Sequence, residues 1–86
     1  MLQTALDFTY SPYPDLGYKP GTQLDRVYRA LQRGEVSGRE FLRMFIPEYR
    51  SRLNEISHDL ATHGLFIQRR RIGNDRFIIY SIGGIE

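Results

Sequence analysis

Residues 47–64, PEYRSRLNEISHDLATHG, predict one long amphipathic helix, and the predicted fold of the chain is built around it. A proline suits the first helical position, where its missing N–H is not needed, and a glycine can end a helix in the left-handed conformation. Apolar side chains spaced four, three and four residues apart fall on one face. They are Tyr49, Leu53, Ile56 and Leu60. We expect helix 47–63 to bury this face.

The opposite face of the same helix carries side chains that form hydrogen bonds. These are Arg50, Ser51, Asn54, His58 and Thr62. Arginine and asparagine can pair with base edges and phosphates, so the N-terminal half of the helix suits a DNA major groove. An ordinary amphipathic helix with a solvated outer face shows the same pattern, and this stretch alone leaves both interpretations open.

Length and composition indicate one small domain with a packed core. The chain has 86 residues, of which 41% are hydrophobic and 13% aromatic. It has no cysteine, which excludes disulfides and thiolate metal sites. No apolar run is long enough for a membrane span or a signal-peptide core, so we expect a cytoplasmic protein without a membrane partner.

The net charge is +2, and Lys19 is the one lysine among 12 basic residues. Arginine is the side chain that best matches phosphate geometry.

Residues 1–21 form an N-terminal arm rich in aromatic residues and proline. Its aromatic side chains are Phe8, Tyr10, Tyr13 and Tyr18, and its prolines are Pro12, Pro14 and Pro20. This density of proline favours an extended or turning path over a helix. Because the arm is too apolar for a solvated tail, we expect part of it to lie across the domain or against a partner chain.

Two shorter helices are predicted between the arm and the long helix. Thr22 is a suitable N-cap for the first, and Gly34 follows its last turn. Val36 is placed to form a short strand. Ser37 then caps a second helix, which must end before Pro47. The second helix is predicted to run through Phe41, Leu42 and Phe45. A short helix, a tight turn around Phe45 to Pro47 and a long helix give helix-turn-helix connectivity.

After Gly64 the pattern changes to that of a β-hairpin. Two β-rich runs, residues 65–72 and 76–82, flank a three-residue turn that contains Gly73. The face toward the helices would comprise Leu65, Ile67, Ile78, Tyr80 and Ile82. Strand alternation places Arg69 and Arg71 on one face and Arg70 on the other. The predicted fold is therefore α+β: a winged helix-turn-helix domain over residues 22–82, with three helices followed by a C-terminal β-hairpin wing, and a flexible tail over residues 83–86.

Several short motifs resemble those of small helix-turn-helix domains common in bacteriophages and prophages. In that family a start near S/T-Q-x-D, a V-S before the second helix, an R-I-x-E-L recognition-helix core and a closing Y-R-L strand recur. The matching segments here are residues 22–25, 36–37, 52–56 and 80–82. Leu53, Ile56 and Ser81-Ile82 depart from that pattern and leave the DNA sequence preference undetermined. The resemblance implies DNA binding and transcriptional or lysogeny control.

A winged helix offers two DNA contacts, the recognition helix in the major groove and the wing on the backbone. The predicted DNA-binding residues are Arg50, Ser51, Arg52, Asn54 and His58 on helix 47–63, and Arg69, Arg70, Arg71 and Arg76 on wing 69–76. For Arg52 a salt bridge to Glu48 or Glu55 is as good an expectation as a base contact. No pattern indicates an enzyme, a metal site, a cofactor or a small-molecule ligand. The operator and the direction of regulation cannot be predicted.

Two features favour partners other than DNA. Phe66, Phe77 and Ile79 fall on the strand face away from the helices, so a homodimer could form through this face or through the arm. Carboxylates on the long helix would repel phosphate, and these are Glu48, Glu55 and Asp59. The alternative function is a protein-binding winged helix module, such as a phage-encoded inhibitor or assembly factor, that does not bind DNA.

Overall fold

A computed structural model describes residues 13–74 and 76–84 of the chain. Within these residues the fold is α+β, with three helices and one antiparallel sheet of three strands. The elements are α1 (Gln23–Gln32), β1 (Val36–Ser37), α2 (Gly38–Arg43), α3 (Tyr49–Ala61), β2 (Leu65–Arg71) and β3 (Ile78–Gly84). The strand order is β1-β3-β2, so the last strand in the chain lies in the middle. None of the described helices is long and apolar enough to cross a membrane.

Helix α3 buries the predicted stripe but is shorter than predicted. All four stripe residues, Tyr49, Leu53, Ile56 and Leu60, are buried, and Gly64 is left-handed with φ 75° as expected. The helix begins at Tyr49, since the carbonyl of Glu48 accepts the first bonds from the N–H groups of Ser51 and Arg52. Pro47 at the first helical position was therefore a wrong prediction. Glu48 is the N-cap of α3, and Pro47 precedes it.

The caps of α1 and α2 are confirmed, but the end of α2 is not. The hydroxyls of Thr22 and Ser37 accept hydrogen bonds from backbone N–H groups three residues later. Helix α2 ends at Arg43, before the predicted end at Phe45. The N–H of Phe45 bonds to the carbonyl of Leu42, and the next N–H bonds to the carbonyl of Phe41. This pair of bonds is the Schellman arrangement, and it requires a left-handed residue at position 45.

Three aromatic rings join α2, α3 and β3 at the centre of the core. The ring of Phe41 stacks on Tyr49 with centroids 5.4 Å apart, and both rings lie 6.2 Å from Tyr80. Val36 pairs with Tyr80, which confirms the predicted short strand. The core therefore fixes the position of α3 relative to the sheet.

The hairpin has the predicted inner face, but its strands have other bounds. Strand β2 ends at Arg71 instead of Ile72, and β3 begins at Ile78 instead of Arg76. Ile67 and Tyr80 are buried, while Leu65, Ile78 and Ile82 pack partly buried against the core. Strand β3 continues two residues past the expected end, because Gly83 pairs with Phe66 and Gly84 with Leu65. A Cβ at position 83 would lie 2.9 Å from Cζ of the Phe66 ring and would collide with it. The two glycines thus make room for neighbours across the strand. Residues 85–86 of the predicted tail lie outside the described part.

The described end of the N-terminal arm packs on α1 and α3. Tyr28 of α1 donates a hydrogen bond to the carbonyl of Pro14 at 2.6 Å, and Tyr18 donates one to the carboxylate of Asp59 at 2.6 Å. The rings of Tyr18 and Tyr28 meet edge to face. Burial and the bond to Asp59 raise the pKa of the Tyr18 hydroxyl, which keeps it a donor. The first 12 residues of the arm lie outside the described part.

We expect Gly38→Ala to destabilise the fold by about 1–3 kcal/mol, the usual cost of inserting a methyl group into a packed site. A Cβ at position 38 would lie 2.5 Å from Tyr49 Oη and 2.9 Å from its Cζ, and the Tyr49 ring is held by the aromatic core. Urea unfolding of the variant and of wild type measures the difference. The same substitution made together with Tyr49→Phe is expected to cost less, since the nearest atom is gone. A Gly38→Ala variant as stable as wild type would contradict this packing.

Candidate functional site

A groove between α3 and the hairpin brings together side chains from three elements. We call it the helix–hairpin groove. It is lined by Arg50, Leu53 and Asn54 of α3, by Arg69 of β2, and by Ile78 and Tyr80 of β3. Leucine, isoleucine and tyrosine form its floor as part of the core, while Arg50, Asn54 and Arg69 are exposed at its edges. None of these six residues is acidic.

The two guanidinium groups of the groove lie over neighbouring tyrosine rings. Arg69 Cζ lies 5.9 Å from the centre of the Tyr80 ring, and Arg50 Cζ lies 5.8 Å from the centre of the adjacent Tyr49 ring. Burial raises the pKa of the Tyr80 hydroxyl, and the charges of Arg50 and Arg69 oppose that rise. The aromatic rings therefore hold two positive groups from different elements beside one hydroxyl, and this arrangement suits an anionic ligand.

The polar side chains of α3 are divided between its two flanks. At about 100° per residue, Arg50 and Asn54 lie on one side of the buried stripe and the carboxylates lie on the other. Asp59 accepts the hydrogen bond from Tyr18 of the arm. The carboxylates of Glu48 and Glu55 lie 3.5 and 2.6 Å from the guanidinium of Arg52. The acidic residues of the helix are thus directed toward α1 and the arm, away from the helix–hairpin groove.

Arg52 and Arg70, both predicted to contact DNA, are engaged elsewhere. Besides its two carboxylate partners, Arg52 donates to the side chain of Gln23 at 3.1 Å, so it joins α3 to α1. The intramolecular alternative predicted for it is the one observed. Arg70 lies on the face of the sheet away from the helices, where it bonds to Glu35 at 2.7 Å. Neither residue lines the helix–hairpin groove.

The other predicted residues are exposed close to the groove or to the hairpin turn. Arg71 pairs across the hairpin with Ile78, which places it on the same face as Arg69. Ser51 and His58 lie on the exposed side of α3, beyond Arg50 and Asn54. Arg76 is exposed beside the hairpin turn and does not line the groove. The structure thus brings Arg50, Asn54 and Arg69 together, with Arg71 adjoining them.

The positions of two further residues, Tyr80 and Phe45, were not fully predicted from the sequence. Tyr80 was assigned to the core alone, although its pairing with Arg69 also places it in the groove. Counting the register from the predicted three-residue turn would have paired Arg69 with Ile79. The usable signal was strand alternation, which places Arg69 on the same face as Ile67 and hence on the face that carries Tyr80. Phe45 was expected at the end of the second helix, where the tight turn begins, and it does lie in the turn between α2 and α3. Its exposure to solvent was not predicted.

The apolar face of the sheet is covered in part by residues of its own chain. The Phe66 ring lies across Gly83, and the guanidinium of Arg39 lies 5.1 Å from the centre of the Phe77 ring. Ile79 is half-buried, and Phe66 remains 42% exposed. A homodimer through this face or through the arm stays a prediction. Within the described residues, no three His, Asp or Glu side chains gather in a way that could hold a metal ion.

Comparison of the chain with protein-family models, with curated proteins and with solved structures gave no match. The geometry and charge of the helix–hairpin groove are therefore the basis for assigning a function to the chain.

Proposed function

We propose that this chain is a winged helix-turn-helix protein that binds double-stranded DNA in a sequence-specific manner, as a small phage or prophage transcriptional regulator. Helix α3 would enter the major groove, and the β2–β3 hairpin would act as the wing on the backbone. One observation carries the proposal. Arg50 and Asn54 of the helix and Arg69 of the hairpin meet in a single groove whose lining has no carboxylate.

The order of the elements supports the winged-helix part of the proposal. A first helix, a short strand, two helices joined by a tight turn, and a hairpin follow one another in the chain. The short strand β1 pairs with β3, the second strand of the hairpin, as a wing requires. This pairing holds the hairpin beside α3, so that one duplex can reach both.

The division of charge on α3 supports DNA over a protein partner. The main reason to favour a protein-binding module was the presence of three carboxylates on this helix, which would repel phosphate. Asp59 is bonded to Tyr18, and the other two carboxylates are paired with Arg52. All three carboxylates therefore lie on the flank of α3 opposite Arg50 and Asn54. A duplex placed against α3 and the hairpin would meet these arginine and asparagine side chains first.

Salt dependence tests this proposal most simply. Each phosphate neutralised adds about 0.9 to the log-log slope of affinity against salt, so four to six contacts predict a slope of about −4 to −5. Raising salt from about 50 to about 200 mM is then expected to weaken binding by roughly 10²- to 10³-fold. Fluorescence anisotropy with a labelled random-sequence duplex of about 25 base pairs measures the electrostatic term, which does not depend on sequence.

Sequence specificity requires a second measurement. Duplexes selected by the protein from a random pool are expected to bind at least about 10³-fold more tightly than the unselected pool. Absence of binding to any duplex at low salt, with micromolar protein, would refute the proposal. Binding that does not change with salt would refute it as well, since it would not involve phosphate.

A further inference from the structure

Phe45 has a backbone conformation that is costly for phenylalanine. Its φ is +63°, and it is the one residue other than glycine with a positive φ among the residues the structure describes. A side chain in the left-handed region places Cβ too close to the following carbonyl, a conflict that glycine avoids. The Schellman position at the end of α2 is usually glycine for this reason. The local fold would therefore be easier to form with glycine than with phenylalanine.

The ring of Phe45 contributes almost nothing to the core, because the residue is 85% exposed. The backbone around it is nevertheless held firmly. The next residue, Ile46, is fully buried, and the two Schellman bonds close the turn. Arg26 of α1 also donates a hydrogen bond to the carbonyl of Met44 at 2.8 Å. The turn thus fixes the direction of the Cα–Cβ bond of Phe45 and presents a large apolar ring to the solvent.

The surroundings of the ring favour an anionic partner with apolar patches. Leu42, one helical turn earlier, is 42% exposed and adds to the apolar surface. Arg43 is exposed beside it, and the guanidinium of Arg26 lies at the same turn. Glu48, the acidic residue that follows, is paired with Arg52. The ring also lies at the N-terminal end of α3, the end that carries Arg50.

We propose that Phe45 is an apolar contact to the DNA duplex, packing on deoxyribose and thymine-methyl surface at the border of the major groove where α3 enters. This inference rests on the proposed function and adds the non-electrostatic part of recognition to it. Thymine is the base that offers a methyl group in the major groove, and phenylalanine is among the side chains that contact it. Arg43, which is exposed two residues before Phe45, and Arg50, which is exposed five residues after it, would pair with phosphates near the ring.

The test compares Phe45→Gly and Phe45→Ala with wild type on a fluorescein-labelled duplex selected from a random pool. Both variants are expected to bind about 5- to 10-fold more weakly, a loss typical of one contact to a base pair. The salt slope is expected to stay unchanged, since an apolar contact releases no counterions. The Tm of Phe45→Gly is expected to equal or exceed that of wild type, because the strain is removed. Phe66→Ala, at an exposed ring on the far face of the sheet, serves as the control and is expected to bind within about twofold of wild type.

A duplex in which deoxyuridine replaces thymine identifies the group contacted. Wild type is expected to lose about threefold in affinity for each methyl in contact, whereas Phe45→Gly is expected to bind both duplexes equally. Unchanged DNA binding by Phe45→Gly, while Arg50→Ala binds weakly, would overturn this inference alone and leave the proposed function standing. A flatter salt slope for Phe45→Gly would also overturn it. Failure of wild type to bind any duplex would overturn the proposed function as well.

Discussion

Replacing both Arg50 and Arg69 with alanine is expected to weaken binding to a selected duplex by about 100-fold, since each such contact is worth about tenfold. The two guanidinium groups come from different elements and meet beside Tyr80, so both would touch the same stretch of duplex. Removing both guanidinium groups is also expected to make the slope of log affinity against log salt concentration less negative by up to about 2. Anisotropy at three or more salt concentrations measures the affinity and the slope together.

A matched control separates geometry from net charge. The double variant Arg52→Ala with Arg70→Ala removes the same two charges, from residues that are paired with Glu48, Glu55 and Glu35 outside the groove. Neither guanidinium lines the helix–hairpin groove, so at about 100 mM salt, which screens exposed charges, the affinity is expected to fall by only about threefold. Equal losses in the two double variants would mean that overall charge, and not the helix–hairpin groove, determines binding. Circular dichroism and Tm check that both variants remain folded.

The second large effect is expected in stability. Phe41→Ala is predicted to destabilise the protein by about 3–5 kcal/mol, the range for truncating a buried aromatic ring. Phe41 is completely buried, stacks on Tyr49 and approaches Tyr80, so its loss leaves a cavity where α2, α3 and β3 meet. Urea unfolding monitored by far-UV circular dichroism gives the free energy of unfolding. The free energy of unfolding of small domains is only about 5–15 kcal/mol, so this substitution is expected to remove a large fraction of it.

Leu42→Ala is the control for Phe41→Ala, since the two residues are adjacent on the same short helix. Leu42 is 42% exposed, so its truncation removes little buried surface and is expected to cost less than about 1 kcal/mol. Similar losses for both variants would contradict the difference in burial between the two side chains, because alanine is the best helix former and helix propensity cannot explain a loss. A cost below about 1 kcal/mol for Phe41→Ala would contradict the position of this ring at the centre of the core.

The helices and the hairpin could be predicted because their signals are local. The buried stripe of α3 follows from its spacing, and the caps at Thr22 and Ser37 follow from residue type and position. The pairing of Val36 with the hairpin followed from the expected order of elements and is observed as the pair with Tyr80. Patterns of this kind depend on a few neighbouring residues, and they need no knowledge of distant contacts.

The end of α2 was predicted wrongly because a tertiary contact overrides local preference. Position 45 is held by a phenylalanine in a left-handed conformation, a choice that no propensity scale favours. Burial of Ile46 in the core requires the chain to turn at this point. The same turn displaces Pro47 from the first position of α3, which starts two residues later.

The sequence indicated the types of residue in the candidate site, but not which individual residues would line the helix–hairpin groove. Alternation correctly separated Arg70 from Arg69 and Arg71, and the register confirms this. Which of Arg50 and Arg52 faces the hairpin depends on where α1 packs, because the contact of Arg52 with Gln23 joins residues 29 positions apart. The carboxylates near α3 appeared in the sequence to disfavour DNA binding, because the partners that hold them depend on long-range packing in the same way. Asp59 is bonded to Tyr18 of the arm, while Glu48 and Glu55 are paired with Arg52.

The most direct test of the central claim is a map of the duplex-binding surface by amide chemical shifts in NMR. Titration of labelled protein with a selected duplex is predicted to give the largest changes at residues 50–58 of α3 and 69–71 of β2, with Phe45 included. Residues 13–20 of the arm and Glu35 on the far face of the sheet are predicted to change little. Largest changes at the arm or on the far face of the sheet would contradict the account, because α3 and the hairpin would then not present one surface to DNA.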